Sequence, residues 1–486
     1  MAQPLKKTFI NTLIYGLSII LTKGVSIILT PYYSKTLNEA SDYGILTYFL
    51  VAIAALSVVL PLGLETAYFN FVSKKEIHNI EGKMYFIHIV IAVLAGLGFW
   101  MFAEELAWLI THNSGFKPYF LLTIGILLFD LLCVIPFAQL RKEQKSIKFG
   151  IINIVYVSVT LLLNLLFLIY IPKWQANVSW LSFFDSSQLV YYVLFATFAG
   201  SVIKFLMLLP QVVKYKLEWS KSNFKTFFNY SLPIMIGGMA YVINEMIDRE
   251  FIKRMLDNAD TASGIYSMNY KVAGLLMIMI TGYRLGVEPF VFKMAGNNKA
   301  KTTYAFLLKA LIIIMVFAAL GILYNKDLIQ TYFTAEAEYH SGFVVVPPLL
   351  LAMIFSGMYY NLSVWYKIEN KTRFGMYFSI AGACITIALN WMFVPKYGYI
   401  ACAWATFLCY FAMSVLSYVF GQKHYKIPYD IPRVLIYLGL GIALYFLGLK
   451  LDEMHSLLDN ILLPVFILIA FVLEKNEINK LKPKKS

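Results

Sequence analysis

Long apolar runs alternate along the chain with short polar stretches, and each run is close to the roughly 20 residues that a helix needs to cross the hydrocarbon core. The first six occupy Phe9–Tyr33, Tyr43–Phe69, Met84–Phe102, Tyr119–Leu140, Ile147–Ile171 and Leu189–Val213. Six more follow at Phe227–Phe251, Gly264–Phe290, Thr303–Tyr324, Val344–Tyr366, Phe374–Val394 and Ile400–Phe420, and a last pair at Val434–Leu449 and Leu457–Leu473. The pattern predicts an all-α polytopic membrane protein with about fourteen transmembrane helices. Val434–Leu449 is the shortest run, and it stands or falls with its partner if the total is even. Met1–Thr8 is too short and polar for a cleavable leader, so the run after it reads as a first span that itself directs insertion.

The polar stretches fix an expected orientation, because cytoplasmic loops collect Lys and Arg. One alternate set of segments, which includes both termini, holds 27 of the 41 basic residues and the other set holds 9, leaving five inside spans. Both termini are therefore expected in the cytoplasm, and the number of spans is expected to be even. Composition agrees: 60% of residues are hydrophobic and 14% charged, against about a quarter charged in a soluble domain. The net charge of +14 belongs to loops facing an anionic leaflet, which disfavours a nucleic-acid partner and points to membrane lipids.

Self-comparison suggests an internal duplication. Glu143-Gln144-Lys145-Ser146-Ile147-Lys148-Phe149-Gly150 is echoed by Glu369-Asn370-Lys371-Thr372-Arg373-Phe374-Gly375, both before a fifth helix of six. Gly63-Leu64-Glu65 is echoed by Gly286-Val287-Glu288, and Pro172-Lys173 by Pro395-Lys396, both at a spacing of 223. The expected organisation is an N-terminal six-helix lobe (1–213), a C-terminal six-helix lobe (214–421) and an additional helix pair with a basic tail (422–486). Parallel repeats of this kind are a transporter architecture with the substrate site between the halves.

Charges inside spans are expensive and normally face a partner or a wet cavity. The basic ones are Lys23, Lys204, Lys271, Arg284 and Lys309, and the acidic ones Glu65, Asp130, Glu245 and Glu288. Lys204 and Lys309 lie near helix ends and read as snorkelling. Lys23, fourteen residues or about 21 Å into the first span, reads as facing a cavity, and Lys271 is open between the two. The seventh span ends in Asn244-Glu245-Met246-Ile247-Asp248-Arg249-Glu250, where Glu245 and Arg249 stand four apart and can pair. That cluster is either an ion-paired helix end or one wall of a cleft shared with Lys23. Arg284 and Glu288 are also four apart, and Glu65 is the repeat-equivalent of Glu288, so ion pairs could close a gate there.

The six histidines and four cysteines show no metal-ligand spacing, and there is no Walker loop, no Gly-x-Ser-x-Gly and no long soluble domain. No catalytic residue, metal or cofactor is expected, and the chain does not read as an enzyme. Tyr32, Tyr33, Trp108, Trp174 and Trp219 read as interfacial anchors.

Asn229-Tyr230-Ser231-Leu232-Pro233 through Ile247-Asp248-Arg249, then Gly264-Ile265-Tyr266-Ser267 with Tyr270-Lys271, and Leu389-Asn390 through Val394-Pro395-Lys396-Tyr397-Gly398 with Ala403-Trp404-Ala405-Thr406, resemble the Wzx-type polysaccharide flippases. These belong to the multidrug/oligosaccharidyl-lipid/polysaccharide exporter superfamily. The resemblance covers about the first 420 residues. It implies two six-helix lobes forming a V-shaped cleft, alternating access, and translocation of an undecaprenyl diphosphate-linked oligosaccharide from the cytoplasmic to the outer leaflet of a bacterial plasma (inner) membrane, for surface or lipopolysaccharide synthesis. It also implies a polysaccharide polymerase and glycosyltransferases as partners. A diphosphate crossing the midplane needs cations, which makes Lys23, Arg249, Lys271 and Arg284 the candidate diphosphate ligands. Glu65, Glu245, Asp248 and Glu288 are the candidate coupling or gating groups. Multidrug exporters of the same superfamily would be expected to carry an acidic residue in the first helix, where this chain has Lys23. The extra helix pair is shared with peptidoglycan lipid-precursor flippases, where it helps build a groove for the lipid tail, so that substrate stays open.

Overall fold

The computed structural model describes residues 29–481 apart from 31, 38, 75–76, 176–183, 295–299, 334–335, 370, 372 and 453–457, and leaves aside a few further side chains, Glu288 among them. Most of the expected first span, with Lys23, lies outside the described residues. Inside a bilayer no water satisfies backbone groups, so apolar runs close their hydrogen bonds within helices. No strand occurs among the described residues.

In chain order, the N-terminal half contains α1 (Ala40–Val59), α2 (Leu64–Lys74), α3 (Ile80–Met101), α4 (Ala103–Thr111), α5 (Lys117–Lys142), α6 (Ser146–Leu165) and α7 (Leu189–Val212). The C-terminal half contains α8 (Lys221–Met255), α9 (Ala259–Met294), α10 (Ala300–Tyr324), α11 (Lys326–Phe333), α12 (Val346–Leu362), α13 (Arg373–Tyr397) and α14 (Tyr399–His424), followed by α15 (Ile431–Asp452) and α16 (Leu462–Leu481). Ten described segments are long and apolar enough to span a membrane, or eleven if α8, bent by 43°, counts as one. Helices α9 and α16 stand where the eighth and fourteenth spans are expected but are not among those ten, so fourteen is not reached on this measure.

Two departures from the hydrophobic pattern matter. The second span is two helices, because Leu62 and Gly63 both adopt left-handed conformations (φ 53° and 66°) beside Pro61. A side chain at Gly63 would come within 2.9 Å of the Ser231 carbonyl oxygen, so the break admits α8 at backbone distance. The fifth span passes from α6 through a π-helical turn, Leu166–Tyr170.

Within the N-terminal lobe α5 and α6 pack on α7, and α3 packs on α5; in the C-terminal lobe α8 packs on α13, while α14 packs on α12 and α13. The lobes meet mainly where α1 crosses α9. There a β-carbon on Gly44 would lie 2.0 Å from the Asp260 carbonyl oxygen, and one on Gly264 would lie 1.9 Å from that of Ala40. Two glycines thus let two helices touch backbone to backbone. On α2, Phe71 packs against Phe227 and Tyr230 of α8, with ring centroids 5.4 and 5.5 Å apart.

The shortest expected span is secure: α15 runs for 22 residues. Its Gly441 and Gly448 face Val316 and Tyr324 of α10 closely. A buried polar knot ties the C-terminal pair to α10. Glu474 of α16 meets Lys309 of α10 at 2.7 Å and accepts a 2.7 Å hydrogen bond from the Tyr437 hydroxyl of α15. Lys309 is therefore ion-paired and 3% exposed, and the snorkelling expectation is corrected.

Candidate cleft and coupling site

Asp248 is the centre of the most polar region of the C-terminal lobe. It lies on α8 and is fully buried. Its carboxylate accepts hydrogen bonds from the Tyr266 hydroxyl (2.5 Å, α9), the Asn390 amide (2.8 Å, α13) and the Thr406 hydroxyl (3.0 Å, α14). Burying a carboxylate is tolerable only with this degree of satisfaction. One turn earlier, Glu245 accepts from Tyr270 (2.8 Å) and from Tyr410. Arg249 donates to the Glu245 backbone oxygen at 2.8 Å and lies over the rings of Tyr270 and Tyr266, 4.2 and 5.1 Å from their centroids. The expected Glu245–Arg249 neighbourhood is real, but the hydrogen bond between them uses the Glu245 main chain, and its carboxylate binds two tyrosines. The site is also no exposed helix end, since Arg249 is only 7% exposed.

Lys271, on α9, reaches the other lobe. Its ammonium lies 5.5 Å from the ring centroid of Tyr33 and 5.2 Å from that of Tyr43. It borders a cavity of about 140 Å³ whose other walls include Leu46, Tyr156, Thr160 and Thr197 of the N-terminal lobe. Arg284 lies thirteen residues further along α9, about 20 Å away by helical rise. It sits 5.4 Å over the Tyr360 ring, which Lys367 also approaches at 4.3 Å. Arg249 and Lys271 therefore occupy one neighbourhood and Arg284 another, while Lys23 and the Glu288 side chain lie outside what is described.

In the N-terminal lobe, Glu65 pairs with Arg141, whose guanidinium also lies 5.0 Å over Phe69. This pair lies within the lobe, so a Glu65 gate reaching across to α9 is not what the geometry places here. Lys204, expected to snorkel, is instead ion-paired to Asp130 at 2.6 Å and lies 4.5 Å over Tyr156. Both pairs line one cavity of about 340 Å³ with Asn153. Sequence reasoning picked Asp248, Glu245 and Arg249 but missed their partners Tyr266, Tyr270, Asn390, Thr406 and Tyr410. Four of these five stand in the motifs that carry the flippase resemblance, which was the available signal.

The profile of the family described as "Polysaccharide biosynthesis protein" matches residues 9–294, more than half of the chain. The chain belongs to this family. The MatE profile matches residues 233–392, a stretch that includes Asp248, Lys271 and Asn390. Among solved structures, "Lipid II flippase MurJ, inward closed conformation" aligns with 96% of the chain and 100% of its own length, at TM-score 0.73 and 14% identity. An outward-facing multidrug resistance MATE transporter aligns over 88% and 96% at TM-score 0.63 and 12% identity. A Vibrio cholerae MATE transporter aligns over 87% and 97% at 0.58 and 12%. No curated protein matches. The family member thus has the two-repeat helical fold seen in these flippase and MATE transporter structures, and its long apolar helices make it a multi-pass membrane protein.

Proposed function

We propose that this protein carries a lipid-linked oligosaccharide, attached through undecaprenyl diphosphate, from the cytoplasmic to the outer leaflet of a bacterial plasma membrane by alternating access. The observation that carries the reading is Lys271, a cation placed between the lobes on two tyrosine rings, with Arg249 nearby on the same helix pair. A diphosphate moving between lobes would meet these two cations first, with Lys23 and Arg284 as further ligands along its path. The tyrosines hold the cations by ring attraction, which a phosphate can outcompete. The excess of Lys and Arg in the alternate loops supports cytoplasmic termini.

Asp248 is the proposed coupling group. A buried carboxylate ringed by Tyr266, Asn390 and Thr406 can exchange a proton or a sodium ion for those contacts, and it sits beside Arg249, which links ion occupancy to the cleft. Glu245 is the adjacent second carboxylate, and Glu288 is the proposed gating group. A polymerase and glycosyltransferases are the proposed partners.

The test is a vesicle assay with purified protein and a fluorescent undecaprenyl diphosphate-linked oligosaccharide. Lys271→Ala should reduce the initial flipping rate at least tenfold, and unchanged flipping would refute the reading. The likeness to the Lipid II flippase over essentially the whole fold, with the C-terminal helix pair included, favours a second reading, translocation of a peptidoglycan lipid precursor. Competition between the two lipids in the same vesicles separates them. Export of a small cation, the third reading, predicts no lipid flipping at all.

A further inference from the structure

At the Ala40 end of the interface, two helix termini of the N-terminal lobe are capped by side chains of the other lobe. Lys253, near the end of α8, is 7% exposed and donates from Nζ to the carbonyl oxygens of Leu109 (2.9 Å) and Ile110 (2.8 Å). Those carbonyls belong to the last turn of α4, which ends at Thr111 before a left-handed His112. A cation there satisfies orphan carbonyls and the negative end of the helix dipole. Conversely, Glu338 accepts from the backbone N–H of Ala40 at 3.2 Å, the first residue of α1, whose own N-cap Glu39 makes no side-chain cap. An anion at a helix N-terminus is the matching arrangement.

The two contacts are reciprocal: a cation on a C-terminus and an anion on an N-terminus, both supplied from the C-terminal lobe. They flank the glycine contact between α1 and α9, and Lys253 also lies 5.4 Å over the Tyr48 ring of α1. Glu250, one turn back on α8, is 3.5 Å from Lys253 and keeps the ammonium directed.

We infer that Lys253 and Glu338 are gate residues that latch the outer side of the transporter shut and must release their helix ends before the cleft opens outward. The inference rests on the alternating-access reading but on no particular substrate. A charged hydrogen bond exchanged for water biases a two-state equilibrium by about tenfold, so two such latches hold the closed state strongly while leaving release reachable.

The experiment measures the distance between spin labels on Ser114→Cys and Ser341→Cys, one exposed position in each lobe, in nanodiscs without lipid substrate. Cys133, Cys402 and Cys409 are buried and Cys384 is exposed, so Cys384→Ser supplies the background. Lys253→Met and Glu338→Ala should each enlarge the long-distance population about tenfold, and Lys253→Arg should restore the parental distribution. Lys117→Met, which breaks the within-lobe Lys117–Glu104 pair (3.5 Å), should leave it unchanged. Parental distributions for both latch variants would overturn the proposal, and if Lys253→Met fails to fold, Glu338→Ala decides alone. The readout needs no transport: shifted distances with no oligosaccharide flipping would count against the substrate reading and leave the latch standing.

Discussion

Asp248→Ala removes the acceptor of three donors contributed by three different helices, and it should destabilise the C-terminal lobe. Each orphaned buried donor costs about 1 kcal/mol at the low end of the usual range, so leaving Tyr266 and Asn390 without their acceptor costs at least about 2 kcal/mol. The donors are not equivalent. Thr406 has a second acceptor in the Cys402 carbonyl, 3.0 Å away, and can turn to it when the carboxylate is gone. The Asn390 amide has its observed hydrogen bond to Asp248 alone. In double-mutant cycles, Asn390→Ala should therefore couple to Asp248→Ala by about 1–2 kcal/mol and Thr406→Val by less than about 1 kcal/mol. Reversible unfolding in mixed detergent micelles measures both. Equal or reversed couplings would refute the account of the network, and zero coupling for both would mean the three contacts do not stabilise the lobe.

Lys309→Met leaves buried Glu474 to the Arg433 guanidinium, 3.4 Å away, and should cost about 1.5–3 kcal/mol in the same unfolding assay, the worth of one charged hydrogen bond. Asp248→Asn keeps the shape of the site but removes its titration and charge, so flipping in vesicles should lose its response to an imposed proton or sodium gradient while the protein still folds. Lys271→Arg keeps the cation and should retain most of the flipping that Lys271→Ala loses. Gly264→Ala places a methyl group where the Ala40 carbonyl oxygen now sits, 1.9 Å away; the helices must part by about 1 Å, and the spin-label distances should lengthen.

The helical character of the chain and the order of its helices were legible in the hydrophobic runs because apolar spans close their hydrogen bonds within helices, while the expected count of fourteen is not reached among the described residues. The break after α1 was not, since Pro61-Leu62-Gly63 sits inside an apolar run and hydropathy is blind to backbone conformation. Asp248, Glu245 and Arg249 stood out as charges in the wrong solvent, but what surrounds them is supplied from positions as far as 165 residues away, which no local spacing encodes. Lys309 and Lys204 were misread for the same reason. Glu474 lies one residue beyond the expected end of the last span, and Asp130 sits on a helix whose rotation the sequence does not give. Lys253 does not stand out in the sequence because its partners are main-chain carbonyls, which look alike in any sequence.

The placement of the charges bears on how the molecule moves. Glu65–Arg141, Asp130–Lys204 and Lys309–Glu474 each close within one half of the protein or within the helices attached to it; Lys309–Glu474 is buried and costly to separate, and the other two, partly exposed, lose less. Across the interface the contacts are of another kind. Lys253 on carbonyls, Glu338 on an N–H and Lys271 on aromatic rings each join one charge to a dipole or a ring, and water can replace every one of them. The cheapest large motion is therefore one lobe against the other, with both interiors intact. Spin-label distances between α5 and α7, within the N-terminal lobe, should stay constant in the same Lys253→Met variant whose inter-lobe distance grows. A change within the lobe of comparable size would show that the lobes deform, and would refute rigid-body rocking as the transport motion.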